Sequence, residues 1–190
     1  MALKINTAGG GSGASKFEPL TKGVHAARLI RIIDLGMQRD EYQGEVKERH
    51  KLFLTFSVPG ETIKIDGKDQ PKYVSAEVTA SFHEKAKLTG IVMALDPNLD
   101  LDGLLDITSL MGKGVQLNIG HTAGGNAKIT TAIPLSKGQT VEDMGEPLEA
   151  FDFDNPDKAM FDTFPKFIQE RIQEALDFKG FGNTVLPEVM

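Results

Sequence analysis

A two-residue alternation of apolar side chains, recurring through the first 135 residues, most constrains what this chain can fold into. In "RHKLFLTFSVPG", residues 49 to 60, Leu52, Leu54, Phe56 and Val58 share one face, while Arg49, Lys51, Phe53, Thr55 and Ser57 share the other. "YVSAEVTASF" repeats the pattern, with Val74, Ala76, Val78, Ala80 and Phe82 inward and Tyr73, Ser75, Glu77, Thr79 and Ser81 outward. Both runs predict half-buried strands. "GVHAARLIRIIDLG" is β-branched and apolar on both sides, the mark of a coiled central strand. "MQRDEYQGEVKERH" is polar and reads as a long connection or hairpin end. Pro59-Gly60 closes the second strand, and Asp66-Gly67 is a hairpin turn before the third.

After these strands, "HEKAKLTGIVMALD" consists of good helix formers, with Ser81 placed as N-cap and Glu84 as N3. "NLDLDGLLDITSLMG" is a connection with room for a second helical turn. "GVQLNIGHT" and "AKITTAIPL", joined by "AGGN", supply two more strands. Three strands, a helix and two strands make a mainly β (α+β) chain. The order predicts a five-stranded OB-fold-like barrel with its helix between strands three and four.

Composition shifts at both flanks. Residues 1–20, around "GGGSGAS", are expected to be a flexible Gly/Ser-rich arm, because they cannot bury enough apolar surface to order themselves. Residues 21–137 hold the barrel, and 138–190 form an acidic C-terminal region. The chain's net charge is −6, but residues 141–190 carry twelve acids against four bases, so the first 140 residues are mildly basic at +2. Such a tail either keeps the chain in solution or occupies the basic face when no other anion is present. Within it, "FPKFIQERIQEALDF" places Phe164, Phe167, Ile168, Ile172, Ala175 and Leu176 near helical spacing. This amphipathic helix is expected to dock on its own barrel, with a second copy or another protein as the alternatives.

Several chemistries are missing. No run of eighteen apolar residues suggests a membrane helix, and "MALKINTAGGGSGASKF" lacks the apolar middle of a secretory signal. There are no cysteines, hence no disulfides or thiolate chemistry, which fits a reducing cytoplasm. His83-Glu84 opens like a zinc helix, but Lys87 stands where the second histidine belongs. Asp96 to Gly103 resembles a calcium loop, yet Leu101 replaces its turning glycine and Ile107 its bidentate glutamate. No nucleophile elbow or phosphate loop occurs. The expectation is a protein without cofactor or metal that is not an enzyme; a nuclease would need a carboxylate cluster that cannot be assembled.

What remains is a surface. With strands two and three antiparallel, Phe53 and Tyr73 lie on outward faces of neighbouring strands. Arg49, Lys51 and Lys72 flank them, and Arg28 and Arg31 reach the same side from strand one. Lys128 and Thr130 face outward from the last strand. Aromatic faces for stacking, beside cations for phosphates, are what single-stranded nucleic acid requires. Phe53 and Tyr73 are therefore expected to form an open platform. The bland alternative has the N-terminal arm or the C-terminal helix lying over them.

The runs "GVHAARLIRIIDLGMQ", "SFHEKAKL", "LMGKGVQLNIGHT", "AIPLSKG" and "FPKFIQERI" together resemble phage-encoded single-stranded DNA-binding proteins of the OB-fold type, over roughly residues 18 to 178. The resemblance implies sequence-independent binding of single strands in phage DNA replication and recombination, in the cytoplasm of the infected bacterium. It also implies that the acidic C-terminal region contacts phage or host replication proteins. This chain departs from the pattern at its end, "GNTVLPEVM", where many such proteins have a dense acidic tip closed by an aromatic residue; here the acids cluster from Glu142 to Asp162. A homodimer is compatible with the sequence. The competing reading is a phage structural or adaptor protein whose β-barrel binds only proteins, and the exposure of Phe53 and Tyr73 beside cations separates the two.

Overall fold

A computed structural model describes residues 18–181 apart from residue 104. Most of the arm expected over residues 1–20 lies outside the described residues. The strands are β1 (Gly23–Tyr42), β2 (Glu45–Ile65), β3 (Lys68–Thr79), β4 (Gly114–His121), β5 (Ala127–Ile133) and β6 (Glu149–Phe151). The α-helices are α1 (Lys87–Leu95), α2 (Lys158–Phe161) and α3 (Lys166–Gln173), with a 3-10 turn over Ile107–Leu110. The protein is mainly β, as the alternation requires. The helical turn expected in "NLDLDGLLDITSLMG" is that 3-10 turn, capped by the Asp106 side chain. None of the helices among the described residues is long and apolar enough to cross a membrane.

Five strands pair antiparallel in the order β3-β2-β1-β4-β5, with α1 between β3 and β4 in the chain. That arrangement is compatible with an OB-like fold. β3 and β5 approach each other, but no ladder joins them among the described residues, so the sheet does not close into a barrel. The alternating residues Leu52, Leu54, Phe56 and Val58 line the main core with Val74 and Val78. Helix α1 closes one end of that core with Leu88, Ile91, Val92 and Leu95.

One local alternative is decided and two expectations need correction. Of the two readings of the polar stretch 37–50, the hairpin end is the one found: β1 and β2 stay paired out to Tyr42 and Glu45. The turn between them holds Gln43 and Gly44 at φ 51° and 78°, the left-handed pair that suits a two-residue hairpin. Pro59-Gly60 does not end β2, because both residues sit in a bulge between Val58 and Thr62 where no ladder partner is needed. Helix α1 starts at Lys87, six residues after the expected cap. Ser81 Oγ instead accepts from His83 N (3.3 Å) and His83 Nδ1 from Lys85 N (3.3 Å), local bonds that compete with a helical turn.

The two-sided apolar pattern of β1 is satisfied by a second core. Bulges at Leu29/Arg31 and Asp34/Met37 coil the strand, turning Leu29 and Ile32 into the main core and Ile33 and Leu35 toward the opposite face. There Ile33 and Leu35 meet Phe151, Phe153, Phe161, Phe164, Ile168, Ile172 and Ala175 of the C-terminal region. Ladder contacts of β1 with β4 cover only Gly23 to Arg28, so β1 would present an unpaired edge beyond them. Strand β6 takes that edge in parallel, with Arg31, Ile32 and Ile33 opposite Glu149, Ala150 and Phe151. This short strand has no turn signals of its own and was not expected from the sequence. The amphipathic helix, in contrast, is present as α3 and docks on its own sheet, with Ile168 and Ile172 fully buried.

Candidate nucleic-acid interface

The outward face of β2 and β3 is built over. Phe53 is half-buried and meets Phe167 of α3 edge-on, ring centroids 5.9 Å apart at 69°. The next outward residues, Thr55 and Ser57, are 1% and 0% exposed. Thr55 Oγ1 lies 3.0 Å from Ser75 Oγ, and Ser57 donates to Glu146. Tyr73, opposite Ser57, has a buried hydroxyl without a hydrogen-bond partner among the described residues. Burial above all, and the Glu146 charge after it, push that phenol up to about 12, against the opposing pull of Arg31. The open platform expected at Phe53 and Tyr73 is therefore corrected: Phe167 of the C-terminal region lies against the Phe53 ring, and the Tyr73 hydroxyl is buried within range of the Glu146 charge. The bland alternative, a C-terminal helix lying over Phe53, is the arrangement found.

The cations chosen from the sequence divide into two groups. Arg28, Arg31, Lys51 and Lys72 have side chains only 11 to 14% exposed, and each is paired within the chain. Arg28 bonds Asp143 (2.9 Å) and the Gly112 carbonyl (3.2 Å), and its Nη1 stands 3.9 Å from Glu146, too far for a hydrogen bond. Arg31 donates to Glu149 through Nε at 2.6 Å. Lys51 pairs with Asp40 (2.7 Å) and lies 3.9 Å from Glu77, which Arg171 of α3 engages with two nitrogens at 2.7 and 3.3 Å. Three acids of the tail thus rest on Arg28 and Arg31, which is the occupancy the charge asymmetry anticipates. Arg49 and Lys128 form the second group: both are exposed and without an ion pair among the described residues.

Lys72 belongs to a separate network at the start of the described chain. Its ammonium bonds Glu61 (2.9 Å) and the Pro19 carbonyl (3.3 Å). Glu61 also accepts from the Thr21 amide at 3.0 Å and from the Thr21 hydroxyl. Burial works to raise the Glu61 pKa, but the bonds from Thr21 and Lys72 together with the Lys72 charge outweigh it and hold the carboxyl at about 2. Lys72 is thereby a tether for residues 19–21 instead of a free phosphate ligand.

Sequence reasoning gave the acids of the tail no positions. Two signals pointed to them. The strand face carrying Phe53 continues into Thr55 and Ser57, too poor in charge for open solvent. Seven of the eleven phenylalanines fall in residues 151–181, an apolar load that must be buried somewhere.

The covered ring makes a sharp expectation. A double-mutant cycle on Phe53→Ala and Phe167→Ala, read by urea unfolding, should give a coupling of about 0.5–1.5 kcal/mol, the range for an edge-to-face aromatic pair; additive losses would show that the two rings do not touch. The Glu61 network predicts an acid limb. A carboxyl lowered from its ordinary 4.5 to about 2 contributes stability that is complete above about 4.5 and lost as pH falls through about 2. Glu61→Gln should therefore unfold at lower urea than the unaltered protein at pH 7, and the gap should close on acidification toward pH 2. A gap independent of pH would contradict the lowered carboxyl.

No protein-family model matches the chain. Among curated proteins it is similar to a DNA primase of Pasteurella multocida (strain Pm70), 29% identical over 98 residues. The similarity covers 45% of this chain and 17% of the primase, so the chain spans about a sixth of that relative's length.

Proposed function

We propose that this protein binds single-stranded DNA independently of sequence, coating and protecting it during phage DNA replication and recombination in the cytoplasm of the infected bacterium. The observation that carries the replication role is the 98-residue likeness to a DNA primase. The strand order β3-β2-β1-β4-β5, with α1 between β3 and β4, supports it as an arrangement compatible with the OB architecture that holds single strands on its surface. In this reading the barrel is a binder without a cofactor, and its work is electrostatic and stacking, not catalytic. Arg49 and Lys128 are accessible to phosphates as the fold stands. Arg28, Arg31, Lys51 and Lys72 reach DNA only where phosphates replace the carboxylates now on them. Phe53 and Tyr73 reach it only if the covering region lifts. The acidic residues of the C-terminal region that remain exposed, such as Asp152, Asp154 and Glu174, are the surface on which phage or host replication proteins would dock.

A second reading is favoured by one observation. Covering Phe53 and Tyr73 removes the feature that separates a DNA-coating protein from a phage structural or adaptor protein that binds only other proteins. A fluorescence-anisotropy titration decides between them. A labelled poly-dT oligomer should bind more tightly than a duplex of the same length, with a log–log salt slope of roughly −2 to −4, about −0.7 per phosphate neutralised on a single strand. Equal affinity for duplex, or no binding at low salt, would overturn the single-strand reading.

A further inference from the structure

Most Lys and Arg side chains among the described residues are engaged by carboxylates of the same chain, so an external polyanion has few places to bind without breaking an internal pair. The places that remain can be found by asking which exposed lysines and arginines have no acid within ion-pair distance. Among the described residues these are Lys22, Arg49, Lys68, Lys85, Lys87, Lys128, Lys137 and Lys179. Five of them are spread over five other segments. Lys85 and Lys87 stand together in sequence at the start of α1, and Lys87 reaches across to β5 beside Lys128.

The grouping is built, not incidental. Lys87 Nζ donates to the Ile129 carbonyl at 2.9 Å, which sets its ammonium against the backbone next to Lys128. Although the residue as a whole is exposed, its ammonium is partly buried at that carbonyl; this desolvation, and then the Lys128 charge, lower the Lys87 pKa, so two like charges are held close enough to oppose each other. Lys85 precedes α1 in a turn that its own side-chain and backbone bonds fix: Lys85 N donates to His83 Nδ1, Ala86 N to the His83 carbonyl (2.8 Å), and Thr89 Oγ1 to the same carbonyl (2.7 Å). Glu84, exposed in that turn, makes no ion pair among the described residues. Phe82, also in the turn, is 36% exposed. Like charges kept together without an internal counter-ion cost stability unless an anion from outside neutralises them.

Resting on the single-strand reading above, we infer that Lys85, Lys87 and Lys128, with the exposed Phe82 in the segment leading into α1, form the track that carries the phosphodiester backbone of the bound strand. The strand passes the α1–β5 end of the sheet, and the face of Phe53 and Tyr73 stays closed beneath the C-terminal region. Each ammonium neutralises a phosphate, and Phe82 offers a π-face to one base. Binding by this route needs no displacement of Asp143, Glu146 or Glu149.

The test is the poly-dT titration on the full chain at several salt concentrations. For Lys85→Ala/Lys87→Ala/Lys128→Ala the log–log salt slope should shrink by about 2, since three phosphate contacts at about 0.7 each are lost. Because Lys87 also holds the Ile129 carbonyl, Lys85→Ala/Lys128→Ala leaves that bond intact and should still shrink the slope by about 1.4. A melting curve on each variant confirms that it is folded. Phe82→Ala should weaken binding by about ten-fold with the slope unchanged, as loss of a stack predicts. Lys166→Ala, on the helix that covers the other face, should leave the slope as it was. Variants of Lys85, Lys87 and Lys128 that are folded and bind with unaltered slope would overturn the track. So would a Lys166→Ala protein whose slope shrinks while those variants bind normally, because the strand would then lie on the side of the C-terminal region. Failure of the unaltered protein to bind poly-dT at all would instead remove the single-strand reading on which the track rests.

Discussion

The structure depends on covering the second face of β1. A strand that carries Leu29 and Ile32 on one side and Ile33 and Leu35 on the other cannot end its burial at a single core. The main core takes the first pair. For the second pair the chain supplies Phe151, Phe153, Phe161 and Phe164 with the apolar side of α3. Gly36 shows how close the two layers lie. Its φ of +69° is left-handed, and a Cβ there would strike the ring of Phe153, so the strand is bare where the C-terminal region, the C-terminal arm of the sheet, crosses it. Polar bonds fix the register of this crossing. Buried Gln38 donates to the Leu35 carbonyl (2.6 Å) and the Arg171 carbonyl (2.7 Å). The Leu176 amide donates to the Met37 carbonyl at 2.9 Å, and the Met37 amide to Asp177 at 2.8 Å.

The electrostatics follow from that packing. Once the apolar part of the arm is seated, residues 143–149 must run across the sheet beside Arg28 and Arg31, and their acids are placed where the cations are. Arg28, only 11% exposed and with one nitrogen lacking a hydrogen-bond partner among the described residues, would be costly to bury without Asp143 and Glu146 nearby. A sequence excess of +2 on the first 140 residues therefore does not describe the accessible surface. The cations on the covered face are neutralised within the molecule, and the open positive charge lies elsewhere, at the start of α1 and on β5.

Much of this was legible in the sequence, and the failures have physical causes. Period-two alternation placed Leu52 to Val58 and Val74 to Val78 in the core, because one strand face is buried and side chains alternate strictly. The order of strands and helix was readable for the same reason. The double-sided character of "LIRII" correctly marked β1 as central, and it also announced a cover on the outer face. Phe53 was read as exposed because alternation says which face a residue is on, not what lies over that face. The cover comes from residues more than one hundred positions away, and β6 is three residues long with no period to detect. Tyr73 and the four paired cations followed Phe53 into the same misreading. Arg49 and Lys128, on parts of the sheet the arm does not reach, are exposed as expected. Lys87 was read as a helix former and as the residue that breaks a zinc-helix motif, since nothing in a one-dimensional pattern brings it to Lys128.

Native-state hydrogen exchange tests most directly whether the arm and the sheet are one cooperative unit. If the second core joins them, amides of Glu149–Phe151 and α3, and the Leu176 amide on Met37, should exchange only through the same global opening that exposes Leu54 and Phe56 in β2. Their protection should then fall in parallel with that of β2 as urea is added. Arm amides that exchange orders of magnitude faster while β2 remains protected would make the arm a separately opening flap, and would contradict the account of a face closed by a core.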